Sequence, residues 1–357
     1  MMISRISFNS TVVSLCLLGS GTIAVGEEES HTPTVIAFGS CADDENPDHP
    51  IWNSIAKANP TDMIFMGDNV YVDSREVVSQ GTYEAFGPDY ERLSASSGFQ
   101  KLKKIARFHA TWDDNDYGVN DGGREFSLKR VSQQKFLNFW GVDKDSIRFQ
   151  TPGVYGSAWI EVSGRKVQVI LTDSRYFRSP IKQGSPTPKC PFRNIVPTFD
   201  PEATMLGEEQ WTWLEDQLLE EADLHLLVSG IQVIPNEHCF ERWGSMPNER
   251  SRLLKAIKNA SATVVILSGD RHLGEISKLR EDDPNGVGYD LYEVTSSSLT
   301  SSFGFGAGEK NSFRVAGDNV RVNNFGIVKF DWEASEAIGE IRDQQGETLR
   351  KVTVTIR

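Results

Sequence analysis

Asp68 and Tyr71 stand three residues apart, directly after the apolar run Met63-Ile64-Phe65-Met66 and its closing Gly67. A buried strand that ends in Gly-Asp delivers a carboxylate into a turn, the place where ligands gather in open α/β sheets. Tyr71 reaches the same turn, so a carboxylate and a phenolate-forming oxygen can meet at one metal ion, a pairing that suits ferric iron. Taken alone, the pair also reads as an Asp capping the next helix and a Tyr packed on the sheet. The rest of the chain repeats the arrangement. Apolar runs end in Cys41, in Asp113 with Asp114, in Asp173, in Gln232, and in Asp270 with His272. Strand ends that share one edge of a sheet converge on a point. Carboxylates, one imidazole, one thiolate and one phenolate fit two unlike metals better than a single zinc. An aspartate bridging two metals is what two-metal hydrolysis needs, because a metal-activated hydroxide must be held while both the attacking and leaving oxygens are stabilised.

The acidic stretch from Asp113 to Gly123 invites a calcium-loop reading, but position 5 of such a loop would be Tyr117 and position 12 would be Arg124. A carboxylate or carbonyl donor and a bidentate Glu are required there, so the EF-hand is excluded. What remains is a third strand end rich in hard oxygen donors, framed by Trp112 and Tyr117.

The elements that must position these residues alternate. Thr34 to Phe38, Met63 to Met66, Val167 to Leu171, Leu224 to Val228 and Thr263 to Leu267 read as buried strands; His49 to Asn59, Ser127 to Trp140, Gly207 to Ala222 and Asn248 to Ala260 read as helices. Two shorter helices are expected within residues 82–104. The first units are right-handed and parallel by expectation. Six prolines between residues 179 and 206 predict a long surface excursion without regular structure. After residue 289 the pattern changes to short alternating segments (289–295, 326–330, 337–341, 351–356), expected to pair antiparallel at the edge or in a second sheet.

At 357 residues the chain can form one large domain, and its formal charge of −13 makes it a poor nonspecific nucleic-acid binder. The N-terminus carries Arg5, an apolar stretch from Thr11 through Ala24, and Ala24-Val25-Gly26 before three glutamates. Residues 1–26 are therefore expected to be a cleavable signal peptide, residues 27–357 the functional domain, and the location periplasmic or secreted, with no membrane span left after cleavage. Leu15 before Cys16 argues against a lipoprotein anchor. Of the three remaining cysteines, Cys190 and Cys239 lie in polar loops and can pair, which leaves Cys41, at a strand end, as the odd thiol.

Taken in order, Gly39-Ser40-Cys41, Gly67-Asp68-Asn69-Val70-Tyr71, Thr111-Trp112-Asp113-Asp114, Thr172-Asp173-Ser174-Arg175-Tyr176-Phe177-Arg178, Gln232-Val233 and Ser268-Gly269-Asp270-Arg271-His272 resemble the blocks of PhoD-type alkaline phosphatases, within the calcineurin-like metallophosphoesterase superfamily. The resemblance runs from about Val35 to at least Phe330. It implies a four-layer α/β/β/α sandwich with mixed sheets. It also implies an exported phosphatase acting on small-molecule phosphate monoesters, with diesters as a further substrate class. The alternatives are a phosphodiesterase or phospholipase of the same fold, or an exported metal-binding protein without activity. By position the resemblance implies Fe3+ held by Cys41, Asp68, Tyr71 and a ligand from the Asp270/His272 block, with Asp68 bridging to Ca2+ and other divalent ions as alternatives. Asp114 matches the second-metal ligand, with Asp113 beside it. Asn115 stands where the family has a histidine, and an amide cannot be a general acid. Either His109 or a metal-bound water is the substitute considered for that role, or the chain is a slower or differently specialised member; the further second-metal histidine has no evident counterpart, with Gln232 as the candidate for its place, and Arg175, Arg178 and Arg271 are the candidates for gripping phosphate oxygens, with an Arg175–Asp173 ion pair as the alternative.

Overall fold

The computed structural model describes residues 34–42, 48–304 and 306–357; the expected signal peptide, residues 1–26, lies outside them. The apolar runs become strands of two large sheets. The first sheet contains β1 (Val35–Gly39), β2 (Asp62–Met66) and β3 (Arg107–Thr111), paired in parallel in that order. The second is built on β4 (Gly156–Val162) and β5 (Arg165–Leu171), while β6 (Lys182–Gln183) and β7 (Ile195–Val196) form a short ribbon of their own. β8 (Leu224–Ser229), β9 (Thr263–Ser268), β10 (Gly274–Leu279), β11 (Leu291–Ser296) and β12 (Arg314–Val320) continue the second sheet, in the order β12-β10-β11-β9-β8-β5-β4. β13 (Asn324–Asp331), β14 (Glu336–Asp343) and β15 (Thr348–Thr355) return to the first, whose order is β15-β14-β13-β1-β2-β3.

Alternation along each strand explains the layering. Ile36, Phe38, Ile64 and Met66 of the first sheet meet Val169, Leu226, Val228, Val265 and Leu267 of the second in one buried cluster between the sheets. Their neighbours Ala37, Met63 and Phe65 face outward onto Trp52, Phe99, Leu102 and Phe136. Ile170, Leu227, Val264 and Ile266 likewise face Trp211, Leu214, Leu253 and Leu254. Helices therefore cover the outer face of each sheet, giving the four-layer α/β/β/α sandwich, and Pro33–Arg357 form one unit. Among the described residues no helix is long and apolar enough to cross a membrane.

Three parts of the sequence reading need correction. β4, β12 and a helix at Ser74–Gln80 lie outside that reading because their exposed positions are polar and give no apolar run, and β10 does because Glu275, Ser277 and Lys278 interrupt its apolar residues although nearly all of it is buried. The last segments do not all form edges: β11 runs parallel to β9 inside the second sheet, and β13 pairs with β1 at the centre of the first. The proline-rich excursion is not free of regular structure, since it carries the β6–β7 ribbon, and the Cys190–Cys239 disulfide fastens it.

Candidate metal centre

Three parallel strands of the first sheet and one of the second end at one place. Cys41 follows β1, Asp68 follows β2, Asp113 and Asp114 follow β3, and Asp270 and His272 follow β9. The loops are tied before any side chain is considered: the Cys41 amide donates to the Gly67 carbonyl at 3.3 Å and the Ala42 amide to the Asp68 carbonyl at 2.8 Å. Asp116, fully buried, accepts from the amides of Asp68 (2.8 Å) and Asp113 (2.9 Å) and from Asn69 Nδ2 (2.6 Å), so one carboxylate welds the turns after β2 and β3. Sequence reasoning gave Asp116 no role; its signal was the capping position three residues after Asp113.

Two donor groups share Asp68, and a further one joins Asp114 to Asp121 and Glu241. Ligand atoms of Cys41, Asp68 and His272 lie within 4.8 Å of one another, as do those of Asp68, Asp113, Asp114 and Asp270. Asp68 belongs to both. Tyr71 joins the first group, with its hydroxyl 3.3 Å from His272 Nε2. His272 Nδ1 lies 2.8 Å from the Ser301 carbonyl, which can only accept, so Nδ1 carries the proton and Nε2 presents its lone pair to the group. Cys41, Asp68, Asp270 and His272 all have φ between +48° and +69°. Left-handed backbone costs L-residues free energy and persists where the surroundings impose it, as they do at functional sites. Gly67, at φ +105°, passes so close to Asp113 that no Cβ fits there.

The electrostatics of this arrangement call for cations. Burial pushes the Asp68 carboxyl far above its ordinary value, and neighbouring Asp114, Cys41 and Asp113 push in the same direction. Burial raises the Cys41 thiol to about 12 and the Asp270 carboxyl to about 6. Asp113 Oδ2 is buried without a hydrogen-bond partner among the described residues. Thiol, phenol, imidazole and four carboxylates packed this way fit a soft-tolerant ion in the first group and a hard, oxygen-seeking ion in the second.

Other expected site residues lie elsewhere. His109, the middle residue of β3, has its Nε2 2.8 Å from Asp62 Oδ1 at the start of β2 and lies about 13 Å of extended chain before Asp113, so its ring serves Asp62 and not the centre. Gln232 donates to Glu275 (2.8 Å) and Thr295 (2.9 Å) inside the second sheet, and its Oε1 is buried without a hydrogen-bond partner among the described residues. Asp173 is occupied by the amides of Val154, Arg175 and Tyr176. Arg175 does not face solvent, nor does its side chain pair with Asp173: Nε donates to Asp113 and Nη1 to Glu241, both at 2.6 Å. It positions Asp113. Arg178 lies against Glu241 at 3.0 Å, and Arg271 is held by Glu309 at 2.7 Å. Glu241 and Glu309 were invisible to sequence reasoning because each lies in an irregular loop far along the chain. Asn115 does reach the centre, its backbone amide on Asp68 Oδ1 (3.1 Å) and its Nδ2 on Asp68 Oδ2 (3.2 Å) and Asp114 Oδ1 (3.1 Å).

The family model of the PhoD-like phosphatases matches residues 36–345. The chain belongs to this family. A solved structure of PhoD superposes with a TM-score of 0.68 at 18% identity, covering 91% of this chain and 69% of that one. This likeness shows the fold. A conserved uncharacterized protein from Streptococcus pneumoniae TIGR4, a predicted phosphoesterase, matches at a TM-score of only 0.32 and 9% identity, covering 91% of this chain and 98% of that one, and carries no argument. No curated protein sequence matches. For a PhoD-like phosphatase the two donor groups lie where the hydrolytic chemistry is expected, at the carboxyl ends of the parallel strands.

Proposed function

We propose that this PhoD-like phosphatase is an exported enzyme that hydrolyses phosphate monoesters, and diesters more slowly, at a two-metal site bridged by Asp68. The observation that carries the reading is the membership of Asp68 in both donor groups. Fe3+ suits Cys41, Asp68, Tyr71 and His272, and Ca2+ suits Asp68, Asp113, Asp114 and Asp270. Ions held there supply an activated water and positive charge opposite the phosphoryl oxygens. The chain's own residues do the rest. Asp68 fixes the separation of the two groups, Arg175 holds Asp113, and the Ser301 carbonyl holds His272 in one tautomer. Asn115 Nδ2, beside Asp68 and Asp114, is a donor for a phosphoryl oxygen. Export is supported by the N-terminal sequence and by the Cys190–Cys239 disulfide, a bond that persists in oxidising compartments.

The test is turnover of a chromogenic phosphomonoester and of its diester analogue with iron and calcium supplied, alongside metal analysis by mass spectrometry. Wild type is expected to cleave the monoester faster and to hold two metals per chain. Asp68→Asn should lose at least about a thousandfold in kcat, since it disrupts both groups at once; full activity in that variant would refute the mechanism.

A further inference from the structure

Resting on the phosphatase reading above, we infer that His238, Arg242 and Arg271 form an oxyanion subsite beside the metal centre, and that the substrates are phosphate esters whose alcohol portion carries a second anionic group, a carboxylate or a further phosphoryl group. The residues come from two loops. Arg271 lies between Asp270 and His272 in the turn after β9, and its guanidinium sits 4.5 Å from the centroid of the Phe240 ring. The His238 ring is 6.4 Å from that ring, and Arg242 Nη1 donates to the Phe240 carbonyl at 2.7 Å. Cys239, between His238 and Phe240, ties this second loop to Cys190. His238, Arg242 and Arg271 are 5%, 6% and 9% exposed, whereas Phe240 is 39% exposed, so the ring marks where the group meets solvent.

Unfilled donors are the first observation behind this. The Phe240 amide donates to His238 Nδ1 at 3.3 Å, so the ring proton sits on Nε2, which is buried and has no hydrogen-bond partner among the described residues. Glu309 accepts from Arg271 Nη2 at 2.7 and 2.9 Å, but Arg271 Nε is likewise buried without a partner. Buried donors without acceptors are costly, and such positions are filled by water or ligand. Unbalanced charge is the second. Arg242 donates only to neutral oxygens, Asn236 Oδ1 at 3.1 Å and the carbonyls of Ile195 and Phe240, and no carboxylate pairs with it among the described residues. Burial, and then the Arg271 charge, lowers its guanidinium to about 10. Burial first, then Arg271, Arg242 and Lys189, hold His238 well below its ordinary value, so the imidazole is neutral and its Nε2 a hydrogen-bond donor. The nearby carboxylates are taken, Glu309 by Arg271 and Glu237 by Lys310 at 2.6 Å. A buried positive charge thus stands without an anion in a chain whose formal charge is −13. Buried charges persist where a partner compensates them, and a guanidinium presents paired donors to a carboxylate or phosphate. Because Arg271 adjoins Asp270 and His272, an anion held here is within reach of a substrate whose ester phosphate sits at the metals.

The experiment compares three ester series on the iron- and calcium-loaded protein, each with spacers of two to six carbons: alkyl phosphates, ω-carboxyalkyl phosphates and alkanediol bisphosphates. At its best spacer length a charged series should show a KM about tenfold below that of the alkyl phosphate of equal length, the scale of one charge-assisted hydrogen bond. A preference confined to the bisphosphates identifies the second anion as phosphoryl, and one confined to the carboxyalkyl esters identifies it as carboxylate. In variants the readout is the ratio of these two KM values. His238→Phe and Arg242→Met should bring it toward one, and His238→Gln, whose amide can donate from the place of Nε2, should restore most of it. Arg242→Gln, which keeps donors for the Asn236 and Phe240 oxygens, reads the charge alone where Arg242→Met does not fold. Equal KM at every spacer length in wild type, or a ratio unchanged by substitution at both His238 and Arg242, overturns the subsite while leaving the phosphatase reading intact. Absence of turnover across all three series removes that reading, and this one with it.

Discussion

Replacing Arg175 by Met removes a fully buried guanidinium from between two carboxylates. Glu241 keeps Arg178 beside its other oxygen, but Asp113 loses its cation. Stranding a buried charge costs about 3–5 kcal/mol. Protonation sets a ceiling on that cost. From an ordinary value of 3.8, neutralising one carboxylate costs about 4 kcal/mol at pH 7 and about 2 kcal/mol at pH 5. Burial already raises the Asp113 carboxyl, and Arg175 is the group that pulls it back. The variant relaxes toward the protonated form, so its deficit shrinks as pH falls. Urea unfolding of chelator-treated protein should therefore show a loss of about 3 to 4 kcal/mol at pH 7 and about 2 kcal/mol at pH 5, with m unchanged. A loss below about 1 kcal/mol at pH 7, or one that grows on acidification, would refute the assignment of Arg175 as the partner of a buried anion.

Three further outcomes are expected. Burial raises the Glu293 carboxyl from 4.5 to about 7, so the fold holds this proton more tightly than the unfolded chain does. That stability is present below pH 4.5 and is lost, to the extent of about 3 kcal/mol, as pH rises toward 7. Glu293→Gln should flatten this part of the pH–stability curve, and an unchanged slope would count against the assignment. The Cys190–Cys239 disulfide spans 49 residues, so Cys190→Ala with Cys239→Ala should lower stability by about 4 kcal/mol in the chain-entropy model; a melting temperature equal to wild type would show that the excursion is held by other contacts. The iron-loaded protein should be coloured by ligand-to-metal charge transfer. Tyr71→Phe should shift or weaken that band, and Cys41→Ser should lower iron retention more than calcium retention; a colourless, fully active preparation would place zinc or calcium alone in the site.

The sequence by itself determined the α/β alternation and the strand ends that supply Cys41, Asp68, Asp113, Asp114, Asp270 and His272, because buried parallel strands are continuous apolar runs whose C-terminal turn residues are fixed by adjacency. Those signals are local. It also marked Cys41 as the unpaired thiol, since Cys190 and Cys239 lie in polar loops that can approach each other. Only the tertiary structure decided which polar residues serve the centre. Arg175 and His109 both looked like substrate-facing groups, but the register of β2 against β3 sets His109 across from Ile64, where its ring bonds the Asp62 carboxylate, and a fully enclosed Arg175 must pair with the nearest buried carboxylates, Asp113 and Glu241. Glu241 and Asp113 are separated by more than a hundred residues, and no local pattern announces such a pairing. The clasp formed by Ser301 and Glu309 is equally nonlocal, for it depends on where the loop before β12 crosses the turn after β9. Chain adjacency specifies the ligands that lead each turn, whereas the partners that orient them arise from packing between distant segments.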